Sequence, residues 1–95
     1  MDTNEARSIL SEHLVRYRAS SYEELAALAS EGRIETLEAA APTGNRYQIE
    51  VQFLWDGRPN GKVRVVGSID DGGIRAFFPM TDAFVVGPEG RPVGE

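Results

Sequence analysis

Apolar residues recur at helical spacing through the first third of the chain. In DTNEARSILSEHLVRYRAS, the residues Ala6, Ile9, Leu10, His13, Leu14 and Tyr17 form one face, while Arg7, Glu12, Arg16 and Arg18 fall mostly elsewhere. Asp2 and Glu5 have the spacing of a capping pair, with Thr3 and Asn4 as alternative caps. The pattern restarts in SSYEELAALASEG. Ser21 and Glu24 are spaced as a capping box, and Tyr22, Leu25, Ala26, Leu28 and Ala29 carry the apolar face on. Gly32 ends it, since glycine readily takes the left-handed conformation just past a helix. Residues 2–31 are therefore helical, as two short helices or as one helix kinked near Ser20 and Ser21.

From Arg33 the period falls to two. RIETLEAAA reads as a strand and Pro42 to Asn45 (PTGN) as its turn. RYQIEVQFLWD is the clearest strand, with Tyr47, Ile49, Val51, Phe53 and Trp55 on one face and Gln48, Glu50 and Gln52 on the other. The loop former DGRPNG leads into KVRVVGSID, where Val63, Val65 and Ile69 oppose Arg64, Val66 and Ser68. DDGG then turns the chain into IRAFFPMTDAFVV. Such short connections suit antiparallel pairing, because parallel strands need a long crossover. The expected fold is α+β: a kinked helix or two short helices packed on a curved four-stranded antiparallel meander. Residues 1–87 make one domain, helical over 2–31 and sheet over 33–87, and residues 88–95 (PEGRPVGE) form a flexible tail. The core candidates are Ile9, Leu14, Leu25, Tyr47, Ile49, Val51, Phe53, Trp55, Val63, Val65, Phe78 and Phe84.

This order of elements resembles the cystatin-like group, which includes the broader NTF2-like folds, where a helix lies across a bent antiparallel sheet. The combination of SYEEL, YQIEVQFLWD and VRVVGSIDDGGIRAFFPMTDAFVV is similar to small uncharacterised bacterial proteins of that fold. The resemblance spans nearly the whole chain and is carried by structural motifs. It implies the fold and carries over no functional residues. Larger NTF2-like enzymes close a cone around a substrate with extra helices, for which this chain is too short.

Composition narrows the function classes. The net charge of −5 is dispersed and forms no basic stripe, which argues against a nucleic-acid surface. There are no cysteines, so disulfides, thiolate catalysis and cysteine-ligated zinc are excluded. The N-terminus is polar, with no signal-peptide core, and no apolar run is long enough to span a membrane. A soluble, cytoplasmic protein is expected, with no nucleic-acid or membrane partner and no cofactor or metal.

Candidate chemistry is sparse. His13, the single histidine, lies on the apolar helix face, where it could act as a general base with Tyr47, Asp56 or Asp82 in a helix–sheet cleft. No fixed-spacing motif supports that role, and a histidine hydrogen-bonded at the core edge is the favoured reading of the position. Asp70 and Asp71 stand where an acidic metal site would, yet Asp-Gly between strands signals a hairpin turn, and adjacent strand residues point to opposite faces. GRPNGK lacks the spacing of a phosphate-binding loop.

The aromatic run says more. In AFFPMTDAFVV both parities are apolar, and Pro79 lacks a ladder donor, which points to an edge strand or a bulge. An edge strand apolar on both faces calls for a covering chain. The expectation is a non-enzymatic binding or assembly domain, homodimeric through its sheet, with Val66, Phe77, Pro79 and Val85 at the interface. Two other classes stay open: a small-ligand binder or minor enzyme around His13, and an acidic inhibitor-like or immunity-like module for a protein partner.

Overall fold

Six elements follow one another in the order the periodicity predicts. The structure, a computed structural model, describes residues 1–72 and 79–89. Helices α1 (Thr3–Arg18) and α2 (Tyr22–Glu31) precede strands β1 (Ile34–Ala40), β2 (Arg46–Asp56), β3 (Lys62–Asp70) and β4 (Met80–Val86). The strands pair in sequence order as one antiparallel sheet, β1-β2-β3-β4, with β1 and β4 at its edges. The fold is α+β.

The ends of the helices are set by local chemistry. Asp2 caps α1 by accepting the Glu5 N–H at 3.1 Å, and Ser21 caps α2 by accepting the Glu24 N–H at 3.1 Å. Gly32, at φ 64°, closes α2: its N–H donates to the Ala29 carbonyl while the Arg33 N–H donates to Leu28. The chain thus makes two helices at the Ser20–Ser21 break rather than one kinked helix.

Both helices lie on the same face of the sheet, α1 over β3 and β4 and α2 over β2 and β3. Their Ala6, Leu10, Leu14, Tyr17, Leu25 and Ala29 meet Tyr47, Ile49, Val51, Phe53, Val63, Val65, Ile69, Phe84 and Val86. Ile9 and Trp55 pack against this core while partly exposed, and the predicted core position Phe78 lies outside the described residues. Helix and sheet approach closely at Gly67. A Cβ there would sit 2.9 Å from Leu10 Cδ1 and 3.1 Å from both Leu14 methyls, so α1 crosses β3 where the strand has no side chain. Among the described residues, no helix is long and apolar enough to cross a membrane.

Candidate functional site

The histidine belongs to a cluster on the helix side of the sheet. His13 and Tyr17, one helical turn apart, meet edge to face with ring centroids 5.8 Å apart, and Tyr17 meets Phe53 in the same way at 5.2 Å. The Tyr17 hydroxyl donates to Glu35 on β1, and Arg33 stands 3.9 Å from the same carboxylate. Burial, then the hydrogen bond to Glu35, pushes the Tyr17 hydroxyl up to about 12. His13 Nε2 is buried and has no hydrogen-bond partner. Burial, helped by the Arg16 charge, lowers the His13 pKa against the opposing pull of Glu35.

The groups the sequence offered as partners for His13 are held elsewhere. The Tyr47 hydroxyl donates to Glu5 at 2.7 Å, Arg64 holds Asp56 at 2.7 Å, and Arg18 stands 3.6 Å from Asp82. Asp70 and Asp71 diverge as adjacent residues should. Asp70 accepts the Gly72 N–H at 2.8 Å, and Asp71 faces the N-terminal ammonium at 3.5 Å. Gly72 takes a positive φ of 83°, and the rest of the turn expected at DDGG lies outside the described residues. Among the described residues, no three His, Asp or Glu side chains are grouped to hold a metal ion.

Glu5 has a second role that its capping position did not announce. Its carboxylate reaches across to the β1–β2 turn, accepting from Thr43 Oγ1 at 2.8 Å, Asn45 Nδ2 at 2.9 Å and the Tyr47 hydroxyl. These three donors, Tyr47 foremost, hold its pKa below the usual carboxylate value, while the same bond pushes Tyr47 up to about 12. The donors lie 38 to 42 residues away, beyond any local pattern.

Among the described residues, no helix lies on the other face of the sheet. Strand register arranges its side chains in rows across the strands. Ile34, Gln52, Val66 and Ala83 make the central row. On one side lie Leu54, Arg64 and Val85, then Asp56 and Lys62. On the other lie Thr36, Glu50, Ser68 and Thr81, then Glu38, Gln48 and Asp70. Ile34 and Leu54 are 54% and 43% exposed, large apolar side chains left in water beside Val66 and Val85. The acidic half is hollowed into an open groove of about 540 Å³, walled by Glu38, Glu50 and Asp70 with Pro79 at its rim. Of the interface residues predicted from sequence, Val66, Pro79 and Val85 are half-buried, Val66 and Val85 on this face, and Phe77 lies outside the described residues.

No protein-family model, curated protein or solved structure matches the chain. Its own geometry is what can be read. The helix side holds side chains bonded to one another, and neither this groove nor a second of about 570 Å³ beside Met1 and Tyr47 is lined by His13. The outer face, by contrast, joins an apolar strip to an acidic hollow.

The sheet's two edges are built differently from its outer face. Each edge strand turns one carboxylate toward the helix side: Glu35 on β1, bound by Tyr17 and Arg33, and Asp82 on β4, facing Arg18. Inward-pointing charges of this kind discourage a further strand from adding.

Proposed function

We propose that this chain is a small, soluble, cytoplasmic and non-enzymatic assembly domain of cystatin-like fold that forms a homodimer through its sheet. The observation that carries this reading is the outer face, where Ile34, Leu54, Val66 and Val85 form an apolar strip that no element among the described residues crosses. The blunted edges support the choice of face over edge. Two-fold pairing is the commonest way for identical surfaces to cover one another.

Light scattering at micromolar concentration tests the reading. The expected mass is twice that of the chain, and a monomer overturns the proposal. Val66→Glu places two like charges at the centre of the contact and is expected to yield a folded monomer. Circular dichroism separates that outcome from unfolding. If Val66→Glu stays folded and dimeric, the outer face is not the interface.

A further inference from the structure

The geometry points to a dimer whose two-fold axis runs across the strands, so that the basic end of each outer face seats on the acidic groove of the other. This inference rests on the homodimer reading and says how the two copies are turned.

Charge is unevenly distributed along the strands. Lys62 and Arg64 lie at one end of the outer face with Asp56, two cations to one acid. Glu38, Glu50 and Asp70 lie at the other with Arg46, which stands 3.4 Å from Glu38, three acids to one cation. The uncharged row through Val66 divides the two ends. Two sheets meeting face to face keep their strands within about 30° of alignment, which leaves two choices for the axis. An axis along the strands lays each row on its own copy. The row of Glu50 and the row of Glu38 and Asp70 would then each lie on its own copy, gathering acids with acids as water leaves, and like charges brought together this way oppose association. An axis across the strands lays each row on the one equally far beyond the centre. The row of Arg64 then faces the row of Glu50, and the row of Lys62 faces the row of Asp70.

Individual bonds favour the second choice. Lys62 is exposed and has no ion-pair partner among the described residues, although Asp56 stands directly across from it on β2. Asp56 is held by Arg64 instead, at 2.7 Å. Asp70 Oδ1 accepts the Gly72 N–H, and Asp70 lines the groove wall, where Oδ2 offers a second acceptor. With the axis across the strands, β3 lies over β3 of the second copy, which brings the Lys62 ammonium to that carboxylate. The apolar strip and the groove thus become two halves of one self-complementary surface.

The absence of cysteine gives a clean crosslinking test. Lys62→Cys chains and Asp70→Cys chains, distinguished by a mass tag, are mixed, allowed to exchange and oxidised. The expected product is a mixed 62–70 disulfide dimer, with little bridging when either variant is oxidised alone. Self-bridged 62–62 and 70–70 dimers would bring like rows together and overturn the inference. So would an intact dimer by light scattering that forms no bridge at all, and in both cases the homodimer reading survives. A monomeric wild-type chain overturns both. Independently, Lys62→Glu is expected to weaken the dimer about tenfold or more, with the loss reduced at high salt. A dimer indifferent to Lys62→Glu counts against the inference.

Discussion

Alternate residues of the same strands build two faces of very different character. The helix side is closed: Val51, Val63, Val65 and Ile69 have no exposed surface, and where the strand comes too close to α1 it carries Gly67. The outer side is open, and its order lies in how apolar, basic and acidic rows succeed one another. A buried face is specified by shape, because a methyl group more or less is felt in a packed interior. An open face is specified by pattern, and its errors are felt only when something docks.

This contrast can be tested most severely at Leu14, which is fully buried. Leu14→Ala is expected to cost about 2–5 kcal/mol in urea unfolding. Leu54→Ala on the open face should change the stability of the folded chain by no more than about 0.5 kcal/mol and act on association instead. Equal losses at the two sites would remove the distinction.

Gly67 tests the shape argument with an opposite sign. Glycine within a strand ordinarily costs stability, so Gly67→Ala would be a gain of roughly 0.5–1 kcal/mol at an open position. With Leu10 and Leu14 at 2.9 and 3.1 Å from the added methyl, a loss of about 1–3 kcal/mol is expected. Combining it with Leu14→Ala should cost less than the sum of the two, because the methyl then enters space the leucine has left.

Acidity probes the closed side without changing its shape. The folded chain holds His13 below its ordinary value of 6.5, so the unfolded chain takes up the proton first as pH falls. Stability is whole above 6.5 and is lost as pH drops through the lower, folded value. Melting temperatures between about pH 8 and about pH 5 should therefore decline less steeply for His13→Gln than for the wild type. An unchanged slope would mean that burial does not govern this ring.

The smallest effect is expected at the rim, where Glu5 ties α1 to the β1–β2 turn. Glu5→Gln keeps an acceptor and loses the charge that gathers three donors. Amide exchange should quicken locally at Ala41 and Gly44, whose N–H groups close the turn at 2.8 and 2.9 Å, with little change elsewhere. Exchange that quickens uniformly would make Glu5 a global rather than a local tie.

Elements that advertise themselves through periodicity were legible from sequence. Alternation bounded by turn formers gives strand limits at Arg46–Asp56 and Lys62–Asp70, as found, and Ser21 and Gly32 mark the ends of α2. Contacts between distant segments were not legible. The partners of Glu5 and the bond from Tyr17 to Glu35 join residues with no shared spacing, and Glu35 breaks the apolar parity of its own strand. Gly67 did leave a signal, a lone glycine on the apolar side of a strand, which marks a close approach by a neighbour. The outer face was foreseen at Val66 and Val85 from composition. Its division into apolar, basic and acidic rows needed the register between strands.

The two inward carboxylates on the edge strands also bear on number. Growth by adding strand to strand has no natural end, since every new copy offers the same free edge as the last. Glu35 and Asp82 make that route costly at both margins of the sheet. The proposed face-to-face contact uses a surface consumed when two copies meet, and assembly by that route would stop at a count instead of running on into a fibre.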